Sequence, residues 1–218
     1  MMPTVADKYE INPDKLSEVI KRAVEKYVRN PYVMAEISNR HIHISRVDLD
    51  ALFGEGYELT PMKELLPGQY ACDETVAVVG RKGRFERVRL LAPIRGKTQL
   101  EISMTDSFLL GVEAPVNISG DLRSAATVAI ENPQNGAKIE RACAIVALRH
   151  IHLSLEFAKR YGLRDQQVVA VEFEGPRAVT FGNVLLRVSK DFTDEMHLDI
   201  DEANAGGIKN GDYGRIIV

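Results

Sequence analysis

Apolar residues follow a helical spacing over residues 12–29, a stretch that an Asn-Pro pair follows. Asn12 is a suitable N-cap, and Pro13 fits the first position of a helix. Pro31 restricts the residue before it to extended conformations, which ends the helix. The apolar positions that form one stripe are Leu16, Val19, Ile20, Ala23, Val24, Tyr27 and Val28. The pattern therefore predicts an amphipathic helix over residues 12–29.

After residue 31 the pattern changes to short segments in which apolar and polar residues alternate, as they do in half-buried strands. Residues 75–79 and 86–91 flank a turn with two glycines and predict a hairpin, and residues 98–103 predict another strand. Further strands are expected at 143–153, 167–173, 178–188, 195–200 and 215–218. Short helices are expected at 46–53, 155–161 and 201–206. The predicted fold class is therefore mainly β (α+β), with the N-terminal helix added.

The chain contains nearly the same hexapeptide twice, R-H-I-H-I-S at 40–45 and R-H-I-H-L-S at 149–154, about half its length apart. Each copy predicts a strand that carries His-x-His, followed by a serine that caps a short helix. Such a unit occurring twice predicts two related domains that arose by internal duplication, with a boundary near 132–136. The expected units are an N-terminal segment at 1–31 and two domains at 32–132 and 133–218.

The two hexapeptides hold four of the five histidines in the chain. Side chains at positions i and i+2 of a strand point to the same face, so His41 and His43 project together, as do His150 and His152. Two imidazoles on one strand face can bind one metal ion. An ordinary strand surface would explain a single His-x-His equally well, but two copies favour metal binding.

Three further residues are candidates for the same site. His197 lies in an alternating strand pattern and is either another ligand or an ordinary core or surface histidine. Glu101 lies on the polar face of the 98–103 strand and is the best carboxylate candidate, with a solvated surface charge as the alternative. Arg95 precedes it and could bind an anion or lie on the surface.

This set of candidates exceeds the four ligands of a tetrahedral zinc ion, since it offers five imidazoles and one carboxylate. The set fits two metal ions that share a bridging glutamate and keep open positions for substrate. Open positions are typical of catalytic metal sites, whereas structural zinc sites are closed, often by cysteines. Imidazole ligands favour zinc, with cobalt and nickel as alternatives.

Bulk composition changes this picture little. A net charge of −3 gives no sign of a nucleic-acid partner or a membrane surface. No apolar run approaches the roughly 18 residues of a membrane helix, and the first residues lack the apolar core of a secretory signal. The expected location is therefore the cytoplasm. Cys72 and Cys143 are too few for a disulfide framework and are expected to be small core residues.

Several short motifs extend the pattern beyond the two hexapeptides. They are S-N-R-H-I-H-I-S at 38–45, P-G-Q-Y at 67–70, E-T-V at 74–76, P-I-R at 93–95, T-Q-L-E-I-S at 98–103, S-G-D-L at 119–122, F-G-N-V at 181–184 and E-M-H-L-D-I-D-E-A-N at 195–204. The second hexapeptide, R-H-I-H-L-S at 149–154, lies between S-G-D-L and F-G-N-V. With these motifs the sequence resembles the PduL-type phosphate acyltransferases, the phosphate propanoyltransferase family. The resemblance runs from about residue 37 to the C-terminus.

The resemblance implies two β-barrel domains with short capping helices and an active site with two zinc ions between them. It places the metal ligands at His41, His43, Glu101, His150, His152 and His197. It implies phosphate binding and catalysis for Arg95, and substrate binding for Asn204. The implied reaction moves a propanoyl or acetyl group between coenzyme A and phosphate, giving an acyl phosphate. The expected partners are acyl-CoA and phosphate, and the protein is expected to form a homo-oligomer.

Two other functions remain open on the sequence alone. The same metal pair could activate water, as in a hydrolase of thioesters or phosphoesters, or the metals could belong to a non-catalytic binding module. Met104 and residues 123–127 depart from the family pattern. These departures bear on substrate preference rather than on the metal ligands.

The N-terminal helix also has more than one interpretation. Members of the resembled family that work inside bacterial microcompartments carry a short amphipathic helix that targets them to the shell, and residues 12–29 suit that role. A helix docked on its own domain, or at a dimer contact, would show the same apolar stripe. The first interpretation adds microcompartment shell proteins to the expected partners.

Overall fold

A computed structural model of the chain describes residues 13–218, which form a mainly β structure with short helices, as predicted. The helices are α1 (Pro13–Arg29), α2 (Arg46–Phe53), α3 (Met104–Leu110), α4 (Leu155–Tyr161) and α5 (Ile200–Gly206). The strands are β1 (Tyr32–Ser38), β2 (His41–Ser45), β3 (Pro61–Leu66), β4 (Gln69–Val79), β5 (Arg84–Arg95), β6 (Gln99–Glu101), β7 (Val116–Asn117), β8 (Ala126–Glu131), β9 (Lys138–Ala147), β10 (His150–Leu153), β11 (Val168–Phe173), β12 (Val179–Val188), β13 (Glu195–Asp199) and β14 (Tyr213–Ile217). Helices α2, α4 and α5 lie where the sequence predicted short helices.

Helix α1 confirms the N-terminal helix, although its expected cap, Asn12, lies outside the described residues. Four side chains of its apolar stripe are between 45% and 63% exposed: Leu16, Val19, Ile20 and Val24. These side chains therefore do not pack into the core of this chain. No helix within residues 13–218 is both long enough and apolar enough to cross a membrane.

Six strands form a closed barrel in the order β1-β13-β10-β12-β11-β14, and β14 pairs back to β1. Its interior is filled by inward-facing side chains that include Ile151, Val171 and Leu186, all fully buried. Strand β10, which carries the second His-x-His, lies between β12 and β13. The barrel thus holds one histidine pair in the middle of a continuous sheet.

The second sheet is ring-like and carries the first His-x-His. Strands β4, β5, β2, β6, β9 and β8 follow one another, and β8 pairs back to β4. Strand β3 extends this sheet beside β4, and β7 pairs with β9. Ile42, Val78, Leu90 and Leu100 are fully buried in its core. Of the two expected barrels, one is therefore confirmed as a closed barrel, and the other is a ring-like sheet.

The two copies of the hexapeptide occupy equivalent places in the two sheets. Strand β2 pairs in parallel with β5 and antiparallel with β6, while β10 pairs in parallel with β12 and antiparallel with β13. Ser45 and Ser154 each cap the helix that follows, by accepting a hydrogen bond from the backbone N–H three residues later. This equivalence is what an internal duplication predicts.

The strand that precedes each His-x-His strand belongs to the other sheet. Strand β1 leads into β2 but pairs with β13 and β14 in the closed barrel. Strand β9 leads into β10 but pairs with β6 and β8 in the ring-like sheet. The sheets therefore do not separate at residues 132–136, where the sequence placed a boundary. Apolar alternation identifies the faces of a strand but not its partners, so the pattern could not show this exchange.

Two further expectations differ in detail from the structure. The strand expected at 98–103 ends at Glu101, because Ser103 caps helix α3, which the sequence analysis did not predict. Ser103 and Asp106 form a capping box, a signal that the alternating pattern concealed. The single strand expected at 143–153 is two strands, β9 and β10, because the chain crosses from one sheet to the other between them.

Candidate metal centre

The first His-x-His forms a three-residue group with Glu101. The antiparallel register of β2 and β6 places His41 directly opposite Glu101. The Nε2 atoms of His41 and His43 lie 3.7 and 3.8 Å from the two carboxylate oxygens of Glu101. All three residues offer ligand atoms within 4.8 Å of one another, so the group could hold one metal ion.

The second His-x-His forms an equivalent group with His197. The register of β10 and β13 places His150 opposite His197, as β2 and β6 place His41 opposite Glu101. Nδ1 of His152 lies 3.1 Å from Nε2 of His197, and the ligand atoms of the three histidines fall within 4.8 Å of one another. The structure thus brings together all six residues that the sequence analysis proposed as metal ligands, in two groups of three.

The first histidine of each pair is held by the same contact. Nδ1 of His41 donates to the carbonyl oxygen of Asn39 at 2.8 Å, and Nδ1 of His150 donates to that of Leu148 at 2.9 Å. A carbonyl oxygen accepts only from a protonated nitrogen, so this contact leaves the lone pair on Nε2. Nε2 of His41 lies on the side of Glu101, and a backbone carbonyl that holds the other ring nitrogen is common for metal-binding histidines.

His43, His150, His152 and His197 are neutral and Glu101 is ionised near pH 7. Burial, assisted by neighbouring cationic groups, lowers the pKa of His43 and of His152 to about 3. Burial likewise lowers the pKa of His150 and, more strongly, that of His197. Burial alone would raise the pKa of Glu101, but His41 and His43 and a hydrogen bond from Ser119 hold it at about 2. Neutral imidazoles and a carboxylate are the forms that bind metal ions.

One buried atom in the second group has no protein partner. Nε2 of His152 is inaccessible to solvent and makes no hydrogen bond to any described residue. An unsatisfied buried polar atom costs about 1–3 kcal/mol, and a metal ion bound by His152 through Nε2, rather than through Nδ1, would remove that cost. Imidazole nitrogens with one carboxylate are a donor set that suits zinc and similar ions. The residues of both groups therefore fit a pair of metal ions.

Both groups open onto one cavity of about 370 Å³ between the two sheets. His41 and Glu101 of the first group also line a smaller cavity together with His150 and His197 of the second, so the two groups lie close together. The other lining residues include five cationic side chains, those of Arg40, Lys63, Arg89, Arg95 and Arg187. A substrate in this cavity would meet both groups at once and would have to tolerate, or require, positive charge.

The structure places Arg95 in the lining of the cavity but not Asn204. Arg95 lies half-buried at the end of β5 and lines the cavity, where burial and the nearby Arg187 lower its pKa. Asn204 is exposed on α5 and is not among the residues that line the cavity. Asn210 does line the cavity, and its side-chain oxygen accepts a 2.6 Å hydrogen bond from the backbone N–H of Ile37.

Met104 and residues 123–127, which depart from the family pattern, also lie outside the lining of this cavity. Met104 is the first residue of α3, and Met104 and Thr127 both line a separate surface cleft. Their side chains therefore do not contact the two groups of metal ligands within the described structure.

A pair of ion pairs supports the two groups, and the sequence analysis missed both. Nε and Nη2 of Arg40 donate to the carboxylate of Asp106 at 2.9 and 2.7 Å. Nη1 of Arg149 donates to Glu202 at 2.7 Å. Each arginine immediately precedes a His-x-His, and each carboxylate lies in the first turn of the helix after the third ligand. The two arginine–carboxylate clamps thus tie each histidine strand to the element that follows Glu101 or His197.

Comparisons with known proteins place the chain in a family. The family model described as phosphate propanoyltransferase matches residues 34–209, a range that includes all six candidate ligands. A phosphate propanoyltransferase of Thermotoga maritima is 47% identical over 94% of this chain and 98% of its own length. One of Clostridioides difficile is 40% identical over 93% of this chain and 97% of its own. A phosphate propanoyltransferase of Rhodobacter capsulatus is 43% identical over 92% of this chain and 94% of its own length.

Proposed function

The chain belongs to the phosphate propanoyltransferase family and is an acyltransferase, and we propose that it works with two zinc ions held at the two facing groups. In this proposal it moves a propanoyl or acetyl group between coenzyme A and inorganic phosphate. The observation that carries the proposal is the single cavity onto which both histidine groups and Arg95 open. Such a cavity brings metal-binding and anion-binding side chains to one substrate.

The two metal ions would be held by separate groups of ligands. His41, His43 and Glu101 would hold one ion, and His150, His152 and His197 the other. When bound, zinc supplies a Lewis acid that stabilises negative charge on oxygen. Cobalt and nickel accept similar donors, so the proposal of zinc rests on the predominance of imidazole and the absence of cysteine from the groups.

Arg95 would bind phosphate through the paired N–H donors of its guanidinium and orient it toward the thioester. A phosphate oxygen would then attack the carbonyl carbon, the carbon–sulfur bond would break, and coenzyme A would leave as a thiolate that takes up the proton released by the hydrogen phosphate. Phosphate is itself the nucleophile, so no covalent acyl-enzyme is needed. Both cysteines are buried, and burial raises the pKa of Cys143 to about 12, which agrees with direct attack by phosphate.

Coenzyme A would enter along β3 and the neighbouring strands, where the cavity is lined by both cationic and apolar side chains. Lys63 and Arg89 offer positive charge that suits the phosphates of coenzyme A, and Leu65 and Leu66 offer apolar surface for its pantetheine arm. The Nη1 atom of Arg89 donates to the carbonyl oxygens of Cys72 and Asp73, which fixes the position of its guanidinium.

The test measures metal content together with coenzyme A release from propanoyl-CoA and acetyl-CoA, with and without phosphate. We expect about two zinc ions per chain, release that requires phosphate, and formation of an acyl phosphate. His152→Ala should lose activity and metal, and circular dichroism and the melting temperature will show that it remains folded. Coenzyme A release that ignores phosphate would instead indicate a hydrolase, and metal without turnover would indicate a binding module.

A further inference from the structure

Arg187 lies in the closed barrel and lines the cavity, as Arg95 does from the ring-like sheet. It lies on β12, the strand that pairs in parallel with β10, and its register partner is His152. Arg95 lies on β5, the strand that pairs in parallel with β2. The two guanidinium groups therefore come from equivalent strands of the two sheets, and both line the same cavity.

Neither guanidinium has a hydrogen-bond acceptor among residues 13–218. Arg95 and Arg187 are half-buried, and no described residue accepts a hydrogen bond from the side chain of either. Other half-buried arginines of this chain are paired, such as Arg40 with Asp106 and Arg149 with Glu202. A guanidinium cannot lose its proton in a protein, so each of the two keeps its full charge in the cavity without a hydrogen-bonded carboxylate.

The two cations also act on each other and on the histidines. The charge of Arg187 contributes to lowering the pKa of Arg95, and it lowers that of His150, His152 and His197 as well. Two neighbouring cations repel each other, while the Glu101 carboxylate attracts Arg95 without accepting a hydrogen bond from it. A phosphate dianion bound between them would replace this repulsion with two sets of charge-assisted hydrogen bonds.

We infer that Arg187 is a second phosphate-binding residue, which holds the same phosphate as Arg95 from the opposite sheet. The inference rests on the proposed phosphate acyl transfer and adds a residue for which the sequence analysis gave no role. Arg187 would hold phosphate oxygens that do not attack the thioester, so that the attacking oxygen keeps one orientation between the two metal groups.

A structural role is the competing explanation. The guanidinium carbon of Arg187 lies 5.7 Å from the centroid of the Phe192 ring, and Phe192 stacks on His152 at 4.0 Å. Arg187 could therefore act only by supporting His152 through Phe192. That role predicts a loss of zinc or of stability when Arg187 is replaced, whereas phosphate binding predicts a change that is specific to phosphate.

The experiment compares Arg187→Met and Arg187→Lys with wild type and with Arg215→Met. Arg215 lies on β14 and pairs with Glu172 at the surface, so its replacement removes the same charge away from the cavity. The measurements are the KM values for phosphate and for propanoyl-CoA, phosphate binding by calorimetry, zinc content and melting temperature. Phosphate binding is measured on zinc-loaded protein without acyl-CoA, so one readout does not depend on turnover.

For Arg187→Met we expect the KM and the Kd for phosphate to rise about 10- to 100-fold, because charge-assisted hydrogen bonds are lost. The KM for propanoyl-CoA should stay within about twofold of wild type, and zinc content and melting temperature should not change. Arg187→Lys should give a smaller rise, since an ammonium keeps the charge but not the paired donors. Arg215→Met should match wild type throughout.

An unchanged phosphate KM, or a rise in the KM for propanoyl-CoA alone, would overturn the inference. If Arg187→Met loses zinc, the comparison is made with Arg187→Lys instead. A KM for phosphate equal to that of wild type in Arg187→Lys would also overturn the inference. Failure of the proposed function would look different, since wild type itself would then release coenzyme A without phosphate.

Discussion

Replacing Arg40 with methionine tests how strongly an arginine–carboxylate clamp supports a metal group. The side chain of Asp106 is 2% exposed and that of Arg40 is 32% exposed, so the substitution leaves an almost fully buried carboxylate without its cation. Breaking a buried pair costs about 3–5 kcal/mol, whereas exposed pairs contribute about 0–1 kcal/mol. Because Arg40 is partly screened by solvent, we expect the free energy of unfolding to fall by about 2–3 kcal/mol.

Urea denaturation of the zinc-free protein measures this loss without the added stabilisation that bound metal would give. Arg215→Met is the matched control, because Arg215 and its partner Glu172 have side chains that are 41% and 36% exposed. A double-mutant cycle with Asp106→Asn isolates the interaction, for which we expect a coupling of at least about 1 kcal/mol. If Arg40→Met were no more destabilising than Arg215→Met, the clamp would not stabilise the fold.

The same substitution should weaken zinc binding, although Arg40 is not itself a proposed ligand. The clamp fixes the strand that carries His41 to the helix that follows Glu101. Loss of residues that orient metal ligands typically reduces affinity 10- to 100-fold. Competition with a chromophoric zinc chelator measures this, and an unchanged affinity would show that the strand keeps its place without the clamp.

Three further outcomes follow from burial and exposure. Zinc-free protein should lose stability as the pH falls below 6.5, by up to about 1.4 kcal/mol per pH unit for each of His43 and His152. In the unfolded chain these two histidines protonate near pH 6.5, but in the folded protein only near pH 3. Urea denaturation at pH 7 and pH 5 measures the difference, and an equal free energy of unfolding at both pH values would contradict this prediction. Cys72 and Cys143 are buried with raised pKa values, so a thiol reagent should label them only after denaturation, and rapid native labelling would contradict this placement. Ile20 is 53% exposed, so Ile20→Asp should change the melting temperature little; a shift in the mass measured by light scattering would instead reveal a dimer contact.

The two groups of candidate metal ligands could be recognised from the sequence because their signal is local. A strand places residues i and i+2 on one face, so each His-x-His defines a pair of ligands without any knowledge of the fold. The third ligand of each group depends on register, yet Glu101 and His197 could still be found from composition and strand pattern. The structure adds that they are equivalent, since each lies opposite the first histidine of its pair.

Arg187, the clamps and the exchanged strands were not predictable in the same way, because each depends on contacts between distant parts of the chain. Arg187 follows a run of apolar residues in β12, and nothing in that run shows that it faces a cavity shared with Arg95. Arg40 and Asp106 are 66 positions apart, and only the pairing of β2 with β6 brings them together. Helix α3 is different, since its capping box could have been recognised from the sequence.

The strand exchange explains why the two metal groups face each other rather than lying in separate sheets. The chain crosses from the closed barrel to the ring-like sheet at residues 39–40, and in the opposite direction at residues 148–149. The first histidine of each pair follows its crossing at once, and its Nδ1 donates to a carbonyl oxygen within that crossing, that of Asn39 or of Leu148. The crossings therefore fix both the separation of the groups and the rotation of their leading imidazoles. A duplication without the exchange would join the two sheets by a single linker, whereas the exchange joins them at two places, each directly beside a histidine pair.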